Sequence, residues 1–267
     1  MRLMRVAANG THINYRVDGK EGAPWLTFSN SLCTDLGMWE PQVAAFGSDY
    51  RILRYDTRGH GGSDVPPGPY DPAMMAADVV GLWDALGIER SHFVGLSMGG
   101  VIALSLLLDH APRVASIAVC DSRANSHPIH MERWAARNTG AIEQGMGWLA
   151  DDFTGHWFTP AAHAAKDPWI AKVRKMVEAT KLEGYLAGVN VVTSVDYRPR
   201  LTELDGNKVL FLAGAQDIGD FPDQARAMHM AVPGSQCVLI EGAAHLCNLE
   251  KADQFNAAIR AHLARYN

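Results

Sequence analysis

The stretch Gly95-Leu96-Ser97-Met98-Gly99-Gly100 constrains this chain more than any other. A short apolar run, His92-Phe93-Val94, leads into it, and a helix-like run from Val101 to Leu108 leads out. A serine between two glycines at such a junction is the pattern of a sharp strand-to-helix turn with the serine at its tip. In so tight a turn, side chains at Gly95 and Gly99 would collide with neighbouring backbone. Ser97 then projects in front of a helix N-terminus, whose free amides and dipole favour the negative charge that acyl transfer creates. Ser97 as a plain helix N-cap is the competing reading, with the same local shape and no chemistry.

The rest of the chain repeats this strand-then-helix unit. A hairpin comes first: Arg5–Ala8 and His12–Val17 flank Asn9-Gly10, a favoured two-residue turn pair. Trp25–Phe28, Tyr50–Tyr55, Ser91–Val94 and Ala115–Cys120 then read as buried strands. Helical patterns alternate with them near Met38–Phe46, Pro72–Leu86 and Gly100–His110. From about Asn125 to Leu201 the strands stop and a helix-like segment carries Trp134, Trp148, Trp157 and Trp169. Val209–Ala213 and Cys237–Ile240 resume the sheet, and a helix over about Ala252–Arg265 closes the chain. Alternation of this kind predicts an α/β fold with a mainly parallel sheet and helices on both faces. The expected division is a core of residues 1–124 and 202–267, with residues 125–201 as a helical cap over the C-terminal edge of the sheet. Open α/β sheets bind ligands at that edge. A separate helical subdomain without contact to the site is the alternative.

Composition narrows the function classes. The 267 residues are 48% hydrophobic and 20% charged, an ordinary globular balance that suits one large α/β domain or a core with an insertion. A formal net charge of -5 argues against nucleic acid or anionic membranes as partners. No uncharged apolar run approaches a membrane span, and Met1–Gly10 has no signal-like core, so the cytoplasm is the expected location. Cys33, Cys120, Cys237 and Cys247 form no C-x-x-C pair, and a disulfide framework is not expected. The eleven histidines have no metal-ligand spacing, so neither metal nor cofactor is expected.

A serine hydroxyl needs a base to take its proton and an acid to orient that base. In a parallel α/β sheet of this kind the expected chain order is Ser, then Asp or Glu, then His. Asp217 follows the Val209–Ala213 run through Gly214-Ala215-Gln216, and His245 follows Cys237–Ile240 through Glu241-Gly242-Ala243-Ala244. Both belong at strand ends on the edge that carries Ser97. Asp220, three residues on, and Asp121, just past Cys120, are rival acids. The oxyanion donors are expected to be the backbone amides of Met98, beside the serine, and Leu32, in the loop Ser29-Asn30-Ser31-Leu32-Cys33. Asp56, Arg58 and His60 in the Tyr55–Gly61 loop suit a structural Arg-Asp contact better than catalysis.

Asn30-Ser31-Leu32, Tyr55-Asp56-Thr57-Arg58-Gly59-His60-Gly61, Gly95–Gly100, Ala213-Gly214 with Asp217, and Ala244-His245 resemble the α/β-hydrolase family over nearly the whole chain. More narrowly, they look like the 3-oxoadipate enol-lactonases of aromatic-compound catabolism. Asn30-Ser31-Leu32 is informative because many relatives have His-Gly at its first two places, as is Val65-Pro66-Pro67-Gly68-Pro69-Tyr70. The resemblance implies an α/β-hydrolase fold with an eight-stranded sheet and a helical cap, no cofactor, and a small anionic lactone as substrate. It places the catalytic roles on Ser97, Asp217 and His245. One departure bears on loop shape: members usually have a Thr-Pro-Pro-like turn soon after the acid, whereas here Ile218-Gly219-Asp220-Phe221-Pro222 follows. An anionic substrate calls for a cation in the cap. Arg133 and Arg137 are one helical turn apart and can share a face, with Trp134 as an apolar wall.

Overall fold

The computed structural model describes residues 4–126 and 128–266. Met1–Leu3 and Asn267, at the ends of the expected core, and His127, in the expected cap, lie outside the described residues.

The chain opens as a hairpin of β1 (Met4–Ala8) and β2 (Thr11–Gly19), paired antiparallel with Ala8 opposite Thr11. Asn9 and Gly10 both have positive φ, at 45° and 74°, which matches the right-handed twist of the flanking strands. The other strands are β3 (Trp25–Ser29), β4 (Arg51–Tyr55), β5 (Ser91–Leu96), β6 (Val114–Cys120), β7 (Val209–Gly214) and β8 (Gln236–Ile240). They form one eight-stranded sheet in the order β1-β2-β4-β3-β5-β6-β7-β8, parallel from β4 to β8. Every residue of β5 is buried, as suits a central strand covered on both faces.

Helices cover the sheet. They are α1 (Glu40–Phe46), α2 (Pro72–Ala85), α3 (Met98–Asp109), α4 (Pro128–Gln144), α5 (Met146–Trp157), α6 (Pro160–Ala164), α7 (Pro168–Ala179), α8 (Leu182–Thr193), α9 (Phe221–Ala231), α10 (Cys247–Glu250) and α11 (Ala252–Leu263). Helices α2 and α3 pack on each other and on the sheet, and α1 packs with α11. Between sheet and helices, Phe28 stacks on Trp39 at 4.8 Å, with Phe46 and Phe255 beside them, all fully buried.

The run expected as one helix over Met38–Phe46 is two pieces. A 3-10 turn, Leu36–Trp39, is capped by the Asp35 carboxylate on Gly37 N, and α1 begins only at Glu40. Pro41 lies in the first turn of α1, where a missing N–H costs nothing, so it marks a helix start and not an interior.

Helices α4 to α8 lie in sequence between β6 and β7, and the two ends of this segment close on each other. Asn125 pairs with Asp196 as an isolated antiparallel bridge, Ser126 N donates to Val195 O (3.0 Å), and Tyr197 N donates to Ala124 O. The segment is also tied to the sheet-bearing part: Tyr70 N donates to Ala187 O, and Asn190 Nδ2 to Tyr70 O. No helix among the described residues is long and apolar enough to cross a membrane.

Candidate active site

The Ser97 turn is as tight as its glycines predict. A Cβ on Gly95 would stand 1.9 Å from Gly99 O, and one on Gly99 would stand 2.3 Å from Ser29 O. Between them Ser97 is held at φ 57°, ψ -111°, a conformation that non-glycine residues rarely adopt. Three bonds fix it there. Ser97 N donates to Cys120 O (2.8 Å), Ser122 Oγ donates to Ser97 O (2.7 Å), and Gly99 N donates to Asn30 O (3.1 Å). The last bond also draws the Asn30–Leu32 loop against the start of α3. Leu32 thereby reaches the cavity that Ser97 faces, while the Met98 side chain is fully buried and only its backbone stands at the first turn of α3.

His245 and Asp217 meet in the same cavity. His245 Nδ1 lies 2.6 Å from Asp217 Oδ2, with the two side chains only 5% and 3% exposed. An ionised carboxylate only accepts, so Nδ1 carries the hydrogen and Nε2 keeps its lone pair for a proton. Asp217 Oδ1 accepts from Gly219 N at 3.0 Å. The loops are laced at their roots, by Ala215 N to Ile240 O and Gln216 N to Ala243 O. Gly214 permits this approach: a Cβ there would stand 2.0 Å from Ala244 O.

The rival acids are engaged elsewhere. Asp220 accepts from Arg123 and approaches His130 at 3.6 Å. Asp121 is fully buried and bonded to Gly214 N and the Cys247 thiol. The Tyr55–Gly61 loop is a brace: Asp56 accepts from Leu36 N, Gly62 N and Asn14 Nδ2, and Arg58 pairs with Asp78. Burial pushes His60 down to about 4, and none of these three residues lines the cavity.

The cavity encloses about 850 Å³, part of it open to solvent. Trp134, Arg133 and Arg137 of α4 all line it. They differ in their partners. Arg137 Nε donates to Asp152 at 2.8 Å, and its guanidinium lies over Trp134 and Phe153 at 5.3 and 5.1 Å. Arg133 has no acidic group within 4.0 Å among the described residues. Arg123, past the end of β6, also lines the cavity, but it donates to Gly219 O and Asp220 and lies 4.4 Å over the Phe221 ring.

Sequence reasoning missed the rings around the histidine. Phe221 lies 4.8 Å from the imidazole and Trp157 stacks on it at 5.7 Å, 29° from parallel. It also missed the ties between the histidine loop and the helical segment. Leu246 N donates to Trp157 O (3.2 Å), and Glu250 accepts from Ala244 N (2.9 Å) with one oxygen and from Thr159 with the other. The only signal for Phe221 was its place in the unusual loop after Asp217.

A serine on a strained turn, at a helix start and in one cavity with a buried imidazole–carboxylate pair, is an arrangement that suits acyl transfer. A model of the α/β hydrolase fold matches residues 24–252. The chain belongs to the α/β-hydrolase family. This hydrolase is 32% identical over 262 residues to 3-oxoadipate enol-lactonase 2 of Acinetobacter baylyi, covering 98% of this chain and 97% of that protein. It is 34% identical over 253 residues to 3-oxoadipate enol-lactonase 1 of the same organism, covering 95% and 93%. The crystal structure of the enol-lactonase from Burkholderia xenovorans LB400 superposes with a TM-score of 0.92 at 38% identity, covering 98% of this hydrolase and all of that chain.

Proposed function

We propose that this hydrolase opens the ring of 3-oxoadipate enol-lactone to give 3-oxoadipate, within the beta-ketoadipate route of aromatic-compound breakdown. The observation that carries the reading is the short buried His245–Asp217 bond in the cavity that Ser97 faces. The likeness to enol-lactonases over nearly the full chain supports the substrate class.

Ser97 Oγ attacks the lactone carbonyl carbon while His245 Nε2 takes its proton. Asp217 keeps the imidazole in the required tautomer and stabilises its positive charge. The Leu32 and Met98 amides donate to the oxyanion, and the start of α3 adds its dipole. Collapse breaks the ring C–O bond. The departing oxygen leaves as an enol, protonated by His245, and tautomerises to the ketone. Water, deprotonated by His245, then attacks the acyl-enzyme and releases the new carboxylate. Residues 125–201 act as a cap that shields this chemistry from bulk water, and the substrate is a small anion held without metal or cofactor.

The free carboxylate of the lactone belongs on Arg133. Arg137 is already paired with Asp152 and lies over the Trp134 and Phe153 rings, whereas Arg133 brings an unbalanced charge to the same wall. A charge-assisted bond of this kind is worth roughly 1.5–3 kcal/mol, or about tenfold to a hundredfold in kcat/KM. Arg133→Ala should lose that much on the enol-lactone and little on a small neutral ester. Arg137→Ala should impair both substrates together, because it unpins α4 from Asp152. Equal losses on both substrates in Arg133→Ala would contradict the assignment, and neutral esters preferred by the wild type would favour a broad carboxylesterase.

A further inference from the structure

The mechanism leaves unused a buried acid that sits beside the Asp217–His245 pair. Asp121 follows β6 directly at φ 42°, a left-handed conformation that aspartate tolerates better than most residues. Its side chain is inaccessible to solvent, and both carboxyl oxygens are occupied. Gly214 N donates to Oδ1 at 2.7 Å, and the Cys247 thiol donates to Oδ2 at 2.9 Å. Gly214 stands three residues before Asp217, and Cys247 stands two residues after His245. A carboxyl oxygen of Asp121, a carboxyl oxygen of Asp217 and a ring nitrogen of His245 all lie within 4.8 Å of one another.

We propose that Asp121 is a positioning residue that fastens the Asp217 loop to the His245 loop, one carboxyl oxygen on each. The proposal rests on the reading of Ser97, Asp217 and His245 as the reacting set. The lacing at the loop roots joins the Asp217 loop to residues that precede His245, at Ile240 and Ala243. The far side of His245, where the chain turns into α10, meets the sheet edge through Asp121. A hinge left open there lets the imidazole swing away from the carboxylate that orients it, and small misplacements of a reacting group are costly.

Burial, and then the neighbouring Asp217 charge, push the Asp121 carboxyl well above the usual carboxylate range. The titratable groups facing it are Asp217 from the β7 loop, His245 and Cys247 from the β8 loop, and Cys120 on its own strand. Burial raises both thiols.

The test uses p-nitrophenyl acetate, which needs the reacting set but not the carboxylate contact. Wild type, Ser97→Ala, Asp121→Asn, Asp121→Ala and Cys247→Ala are compared by kcat, KM, pH profile and the low-field proton resonance of the His245–Asp217 bond. Asp121→Ala should lose about tenfold or more in kcat with KM nearly unchanged, and its low-field resonance should shift or broaden. Asp121→Asn keeps an oxygen for Gly214, so it should restore most of kcat. If Asp121→Ala does not fold, Cys247→Ala, which removes one tether, should show the same trend at smaller size. An unchanged kcat in the foldable variants, or a lowered kcat with the resonance intact, would overturn the proposal. So would Asp121→Asn as damaging as Asp121→Ala, since the retained tie to Gly214 would then count for nothing. Equal turnover by wild type and Ser97→Ala would instead defeat the serine reading, whatever Asp121 does.

Discussion

Asp217 is one of three aspartates near the C-terminal edge of the sheet, and local bonding decides which of them meets the histidine. Asp121 is spent on a backbone amide and a thiol, Asp220 faces Arg123, and Asp217 alone lies 2.6 Å from His245 Nδ1. We read the acid's role as fixing the tautomer and balancing the imidazolium. Asp217→Asn should therefore lower kcat by about three to four orders of magnitude. Asp220→Asn should keep kcat within several-fold, because it touches Arg123 and not the imidazole. Steady-state kinetics of the two variants check this, and the reverse order would show the acid misassigned. At this level the sequence was legible where chemistry coincides with position: Ser97 between its glycines, and Asp217 and His245 just past apolar runs. It was silent on Phe221 and Trp157, because ring stacking on His245 depends on where distant segments land. Arg133 and Arg137 looked equivalent on a helical face, and only the position of Asp152 separates them.

The turn between β5 and α3 holds Ser97 at φ 57°, ψ -111°, a conformation that non-glycine residues rarely adopt. Sequence spacing foretold it because glycine is required twice, and the clash distances at Gly95 and Gly99 bear that out. Strand β5 runs on through Gly95 to Leu96, and α3 begins at once with Met98, so both are longer than apolar patterning predicted. Patterning sees side-chain burial, whereas the turn itself is set by backbone bonds such as Ser97 N to Cys120 O. Gly95→Ala should cost about 3 kcal/mol or more, since its Cβ meets backbone that cannot move aside. Thermal unfolding of this variant should fall by roughly 6–12 °C, given about 2–4 °C per kcal/mol for a chain of this size. A variant as stable as wild type would mean the turn is looser than described.

Taken whole, the molecule is a sheet whose C-terminal edge brings Ser97, Asp217 and His245 to one cavity, with a helical segment lining the same cavity. The strands and their mainly parallel sheet were legible from alternating apolar runs, because a parallel sheet with covered faces requires them, whereas the crossing of β3 and β4 in the strand order was not. How the helical segment docks was not, because its ties are single contacts: Thr159 to Glu250, Leu246 to Trp157 O, and Asn190 to Tyr70 O. The first two of these ties land on the chain just after His245, so the helical segment and the histidine loop are bonded to each other. The central claim is that Ser97 opens an anionic lactone by nucleophilic attack. Its most direct test is the turnover of 3-oxoadipate enol-lactone by wild type and by folded Ser97→Ala, with the acyl-enzyme sought by mass spectrometry after rapid acid quench. The account predicts wild-type turnover with a transient adduct on Ser97, and a loss of about a thousandfold or more in the variant. Undiminished turnover by Ser97→Ala, or wild-type protein inert toward the lactone, would contradict it.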